Sequence, residues 1–397
     1  MNVFLTRHPI FYRDGSTYAY ELLYRDEEQK EAAPGENKET DGFFGIDVLG
    51  ITGGERVFIN FTDELIAKNV PWTFSPEILV VEVSAERAGD RKMLDTVKAL
   101  KEHGYSIAVD GYNRSDEYKE LFSFADIIKV DAKAPKELIE EAESVCYKAG
   151  KPMLAKNVNT NADFESAVRQ GFKYLQGYFY ARSSVVAGGT LQPLPVNLIE
   201  AMRLMALPEP EIKDIVDVMS RDAALCQKIL KLINSVYFGV SHRVSSINQA
   251  ILILGLDYLR EWVYLMGMQK ISQNDCIEVM RLALLIAKLC RGLSEFLPGE
   301  EKSGEAFYLM GLLSMIVLSS DRALAQALDE FPLTNDIKKG LLRCGGVYSD
   351  VFEMALSYVD GRWDDYGRLA AKYEISSDKV NEMFLHSMQE IGMMNMS

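Results

Sequence analysis

The chain is short of the features that would tie it to a membrane, a thiolate metal centre or a nucleic acid. A bilayer span takes about 20 apolar residues. The apolar stretch near 282–297 is broken by Lys288 and Arg291, and that at 306–318 is only 13 residues long, so neither spans. The five cysteines, at 146, 226, 276, 290 and 344, are odd in number and contain no Cys-x-x-Cys pair. Reduced thiols in a cytoplasmic protein are therefore expected. Lys and Arg number 43 against 58 Asp and Glu, a formal net charge of −15. That excludes a general nucleic-acid binder, whose affinity comes mostly from neutralising phosphate, but leaves room for a local basic pocket. No Gly-x-Gly-x-x-Gly follows the first strand, which counts against a dinucleotide fold. The N-terminus enters an alternating strand pattern at once, so no signal peptide is expected.

What is present is a globular composition, 48% apolar and 25% charged, with ample material for a core. Its 397 residues suggest two or three domains at roughly 100–200 residues each. Residues 3–12 and 19–25 read as two strands joined through Asp14-Gly15, a strong hairpin-turn pair. A polar loop follows over 26–41. Apolar strands at 56–61, 78–83, 106–110, 126–131, 152–158 and 174–179 then alternate with helices at 63–69, 89–103, 115–122, 134–149 and 161–170. Such alternation predicts a parallel sheet covered by helices. Six or seven strands within about 180 residues favour a closed or nearly closed α/β barrel over an open sheet.

The polar residues of these strands are not scattered. Asn60, Glu82, Asp110 and Lys129 each fall at or near the C-terminal end of an apolar run, the face where barrel active sites sit. Carboxylates and an amide oxygen are hard ligands suited to Mg²⁺ or Mn²⁺, and a lysine beside them suits a phosphate. Glu21 and Arg25, four residues apart on the second hairpin strand, read alone as ordinary solvated charges.

Taken together, residues 1–183 resemble the EAL domain, the TIM-like barrel phosphodiesterase that cleaves cyclic di-GMP. The family's Glu-Ala-Leu-Leu-Arg stands here as Glu21-Leu22-Leu23-Tyr24-Arg25, its strand-end Asn as Asn60, and its Glu-Ile-Thr-Glu as Glu82-Val83-Ser84-Ala85. Asp-Asp-Phe-Gly appears as Asp110-Gly111-Tyr112-Asn113, Lys-Ile-Asp as Lys129-Val130-Asp131, Ala-Glu-Gly-Val-Glu as Ala155-Lys156-Asn157-Val158-Asn159, and Gln-Gly-Tyr as Gln176-Gly177-Tyr178. The resemblance implies a first-metal ligand set of Glu21, Asn60, Glu82 and Asp110, able to take Mg²⁺ or Mn²⁺. It also implies ligand contacts from Arg25, Lys129 and Gln176. The departures are equally specific. The second metal's aspartate is Gly111, the two loop acids are Lys156 and Asn159, and the acid that braces the loop after Asp110 is Ala85. Losing a general base costs about 10²–10⁴ in rate, and a lysine facing the second site repels a divalent ion. Useful phosphodiesterase activity is therefore not expected.

After a Gly- and Pro-containing linker at 184–198, helical periodicity dominates residues 199–397, with helices at about 211–220, 222–234, 247–255, from 256, 277–296, 304–318, 321–329, 335–343, 348–358, 362–372 and 376–391. This half resembles the HDOD domain through Leu207-Pro208, Asp222, Lys228-Ile229-Leu230, Asn234-Ser235, Tyr237-Phe238-Gly239, Ser245-Ser246-Ile247, Ala250 and Leu254-Gly255. HDOD domains resemble HD phosphohydrolases that have lost their metal-binding His-Asp pair. Here Gly311-Leu312-Leu313-Ser314-Met315 stands at that place, and an upstream ligand histidine would fall near Leu282. His242 and His386 have no acid partner at ligand spacing, and Met310, Leu313 and Val317 read first as core. The expectation is an α/β barrel followed by an all-α HDOD domain, acting as a non-catalytic bacterial signalling protein. The barrel would sense cyclic di-GMP or serve as a platform, and the helical half would contact a protein partner. The resemblance also permits a homodimer. The alternative is a weak cyclic di-GMP phosphodiesterase on the first-metal site, with Asp131 or Asp116 making good the lost acids.

Overall fold

In a computed structural model, the described residues are 3–26, 48–179, 195–205, 210–234, 238, 240, 242–272, 277–297, 304–314, 328 and 333–393. They divide into two compact units. One comprises residues 1–182 with 358–363 and 376–385, and the other 183–357 with 364–375 and 386–397. The loop expected over 26–41 apart from Asp26, which ends the second strand, most of the linker, the helix expected at 321–329 apart from residue 328, and Ser235, Tyr237, Gly239, Met315 and Val317 lie outside the described residues.

The first unit is a closed eight-stranded barrel in sequence order: β1 (Val3–Tyr12), β2 (Thr17–Asp26), β3 (Arg56–Asn60), β4 (Leu79–Ser84), β5 (Ser106–Asp110), β6 (Ile127–Asp131), β7 (Met153–Lys156) and β8 (Tyr174–Gln176). Strands β2 to β8 pair in parallel through helical crossovers, whereas β1 is antiparallel to both β2 and β8. The hairpin explains the reversal. Gly15 takes φ +84°, Gly15 N–H donates to Tyr12 O (3.1 Å), Tyr12 N–H to Ser16 O (2.8 Å) and Ser16 N–H to Asp14 Oδ1 (2.9 Å). A turn this tight can only return an antiparallel strand. Both hairpin strands are thus staves of the barrel. Its interior is plugged by one buried apolar cluster taking one residue from each strand in turn: Ile10, Ala19, Phe58, Val80, Ala108, Ile127, Leu154 and Tyr174.

Helices α1 (Val48–Thr52), α2 (Asp63–Ala67), α3 (Arg91–Glu102), α4 (Asp116–Phe124), α5 (Lys136–Ala149) and α6 (Asn161–Arg169) cover the strands. Side-chain caps start several of them: Asp90 accepts from Met93 N–H, Ser115 from Tyr118 N–H, and Thr160 with Asp163 forms a capping box.

The second unit is helical. It contains α7 (Val196–Met205), α8 (Ile212–Met219), α9 (Ala223–Ile233), α10 (Ile247–Leu254), α11 (Leu256–Ser272), α12 (Ile277–Ser294), α13 (Gly304–Leu312) and α14 (Asn335–Leu341). Then come α15 (Val347–Val359), α16 (Trp363–Lys372) and α17 (Ser377–Met393), each with residues in both units. Helix α7 begins inside the segment expected as linker, because Pro195 O already accepts the N–H groups of Leu198 and Ile199. Asp222 caps α9 through Ala224 and Leu225 N–H, and Ser246 caps α10 through Gln249 N–H. Met310 and Leu313 are fully buried core. Gly311 lets α13 approach α12 closely, since a Cβ there would meet Ala287 Cα at 2.5 Å. His242 is exposed, and His386 is exposed beside Glu390 at 3.5 Å. Among the described residues, Cys146, Cys226, Cys290 and Cys344 are free thiols and no helix is long and apolar enough to cross a membrane.

Candidate functional site at the barrel mouth

Side chains alternate faces along a strand, so the residue two positions beyond each member of the apolar plug, toward the C-terminal ends of the parallel strands, shares its inward side. From β2 to β8 these are Glu21, Asn60, Glu82, Asp110, Lys129, Lys156 and Gln176. On β1, which runs the other way, it is His8, the Cα partner of Glu21. Each of the eight is polar, so the apolar plug is overlain by a layer with three carboxyl groups and two ammonium groups. The strand-end positions singled out in the sequence thus converge. His8 and Lys156 belong with them, although His8 was not singled out and Lys156 appeared only as a loop substitution. The same step of two from Ile10 and Leu154 would have found both.

Lys129 is the centre. Its side chain is 0% exposed, and its Nζ lies 2.9 Å from Glu21 Oε1 and 2.6 Å from Glu82 Oε2. Gln176 Nε2 donates to the other Glu21 oxygen, Oε2. Burial alone would raise the Glu21 carboxyl, but the Lys129 charge, the Gln176 and Lys129 hydrogen bonds and nearby His8 outweigh it and hold Glu21 at about 2. Burial, then the negative charges of Glu21 and Asp110, push Glu82 up to about 8 although Lys129 bonds it. The cation is nearer to Glu82, yet Glu21 keeps its charge because it also receives the Gln176 amide. Burial disfavours the Lys129 ammonium, but Glu21, Glu82 and Asp110 more than compensate, so its pKa is raised.

Nearer solvent, Lys156 Nζ lies 2.5 Å from Asp110 Oδ1, both side chains a little under one third exposed. The contact is ionic, because Oδ1 takes no well-directed hydrogen bond. Asn60 is exposed at the end of β3. Arg25 pairs through its backbone with Phe4, and its side chain lies outside the described residues.

The remaining substituted positions are absorbed into the loops. Gly111 has φ +100°, and a Cβ there would stand 3.2 Å from the Ala85 Cβ, so larger side chains at 85 and 111 would crowd each other. Asn159 Oδ1 accepts from Tyr178 N–H (3.1 Å) and its own N–H donates to Asp163 (3.0 Å), which ties the loop after β7 to the end of β8. Asp131 accepts from Asn157 Nδ2 (2.7 Å) and Lys133 N–H (2.8 Å). Asp116 is exposed on the first turn of α4, bonded to Lys119. It is not one of the inward-facing strand positions.

Comparison with known proteins bears on both halves. Residues 191–319 match the model of the HDOD domain. The chain carries an HDOD domain. Over 98% of its length and 98% of the relative's it is 29% identical to Uncharacterized protein YuxH of Bacillus subtilis. It is 26% identical to Cyclic di-GMP phosphodiesterase CdgJ of Vibrio cholerae, over 91% of this chain and 85% of that one. Among solved structures, the FimX EAL domain from Pseudomonas aeruginosa bound to c-di-GMP is similar at 17% identity. That match covers 45% of this chain and 89% of that one, with a TM-score of 0.36. A standalone EAL protein from Vibrio cholerae in a c-di-GMP bound form gives 18%, 44%, 90% and 0.34. A barrel followed by an HDOD domain, in a chain related to a cyclic di-GMP phosphodiesterase, is consistent with the EAL–HDOD architecture.

Proposed function

We propose that this chain is a non-catalytic regulatory protein whose barrel serves as a platform or ligand sensor and whose HDOD domain contacts a protein partner. The observation that supports this reading most is the Lys156 ammonium 2.5 Å from Asp110. It gives Asp110 a counter-charge from the chain itself and repels a divalent cation. With Glu21 and Glu82 sharing Lys129, the set Glu21, Asn60, Glu82 and Asp110 does not fit Mg²⁺ or Mn²⁺ in this arrangement. Among the described residues, no group of three or more His, Cys, Asp or Glu side chains could hold a metal. Neither Gly111 nor Lys156 nor Asn159 supplies a carboxylate base.

Purified full-length protein incubated with cyclic di-GMP and Mg²⁺ or Mn²⁺ is expected to yield no more linear dinucleotide than a Glu21→Ala control. Turnover that this substitution removes would overturn the proposal. It would favour the second reading, a weak phosphodiesterase, for which the similarity to CdgJ across 91% of the chain speaks. Lys129 and Gln176, the expected phosphate contacts, are both bonded to Glu21. Calorimetric titration with cyclic di-GMP in Ca²⁺ is therefore expected to give no saturable heat up to high micromolar ligand. Saturable heat would make the barrel a sensor instead of a platform.

A further inference from the structure

The helical unit contains a cavity of about 850 Å³ between one face of α9 and the residues Val240, Arg243, Val244 and Ser245. Its first wall follows from helical spacing. Gln227, Leu230, Lys231 and Asn234 fall at i, i+3, i+4 and i+7 and line the cavity, while Leu225, Ile229 and Ile233 of the same helix are buried in the core. The second wall is held in place by a reciprocal amide pair. Asn234 Nδ2 donates to Val244 O (2.8 Å) and Val244 N–H donates to Asn234 Oδ1 (2.8 Å). The same Nδ2 donates to Leu230 O (2.7 Å), so Val244 is pinned to the end of α9.

The lining carries two cations, Lys231 from the helix and Arg243 from the loop, and none of the described lining residues is a carboxylate. Neither cation is in an ion pair with an Asp or Glu among the described residues. In a chain of net charge −15, two cations that line one cavity with no paired carboxylate among the described residues are a local reversal of sign. An arginine fork beside a lysine point charge suits phosphate oxygens, and Leu230 and Val240 offer apolar surface to an organic body. The volume lies within the ~300–1,000 Å³ of small-molecule sites.

We infer that this cavity of the HDOD domain binds a phosphorylated small molecule of nucleotide size through Lys231 and Arg243. The site is independent of the barrel and of the reading given for it. Ligand-observed NMR on the full-length protein, with 5′-AMP and 5′-UMP as probes, tests it. At least one is expected to bind saturably, with inorganic phosphate competing and the matching nucleoside bound far more weakly. Lys231→Ala and Arg243→Ala should each weaken the binding about ten-fold, the loss of one charge-assisted contact, and the double variant should abolish it with the thermal melt unchanged. Failure of both nucleotides to bind would overturn the inference. So would affinity unchanged in the double variant, or a short single-stranded RNA binding more tightly than either nucleotide.

Discussion

Lys129→Met is expected to destabilise the barrel by about 3–5 kcal/mol, because removing one member of a buried ion network leaves its partners uncompensated. In the wild type a single ammonium serves both Glu21 and Glu82. Methionine keeps the volume but leaves two buried acids without the cation they share. The check is the barrel's unfolding transition in denaturant, followed in the presence of a chelator. The triple change Glu21→Gln, Glu82→Gln and Lys129→Met should recover most of the loss, since neutral groups of similar shape carry no desolvated charge.

The pH dependence carries a second signature. Glu21, held at about 2, contributes stability that is present above its unfolded value of 4.5 and lost as pH falls through 2. Glu82, raised to about 8, contributes stability that is complete below 4.5 and lost as pH rises through 8. Without Lys129 both carboxyls are raised. The deficit of Lys129→Met is therefore expected to be smallest in acid and to grow with pH. A single-lysine change with a small deficit that is flat in pH would show that Lys129 does not hold this network together.

Gly177→Ala is expected to disrupt the mouth as severely. Gly177 has φ +143°, and a Cβ there would lie 2.2 Å from Val158 O and 2.6 Å from Val158 N and C. These are backbone atoms that cannot turn aside as a side chain would. Strain at such a φ and overpacking cost about 1–3 kcal/mol each. Relief requires moving the end of β8 away from the loop after β7. That displaces Gln176 from Glu21 and Tyr178 N–H from Asn159. Thermal melts should show a loss of several degrees or failure to fold, whereas Gly150→Ala, strained by its φ of +67° but with open space around its Cβ, should cost less. Equal melting points for the two variants would contradict the close approach.

Much of this was legible in the sequence because strands and helices write their period directly into the order of apolar residues. The barrel emerged from six apolar runs alternating with helical stretches, and Asp14-Gly15 announced the hairpin because only a few residue types tolerate its turn. Asn60, Glu82, Asp110 and Lys129 stand out as polar groups at or near the C-terminal ends of apolar runs, whose place in a barrel is the mouth. Glu21 and Gln176 enter only through the EAL resemblance, since Glu21 read alone is a solvated charge. His8 did not stand out, because its strand runs antiparallel and its end of the mouth is reached two residues before Ile10, not after.

Residue order by itself determined the two-part architecture, the strand and helix phases and the chemical inventory of the mouth, since these depend on local periodicity and on side-chain identity. Only the tertiary structure decided who meets whom. Lys129 is 108 residues from Glu21 and 47 from Glu82, and strand pairing, not sequence proximity, brings them together. The assignment of Lys156 to Asp110, the Gln176 amide to Glu21 and the Gly177 backbone to Val158 likewise follows from closure of the barrel. Closure places side chains from distant strands within bonding distance, and in that confined interior burial, the shared Lys129 cation and the Gln176 amide together settle the charge of each acid.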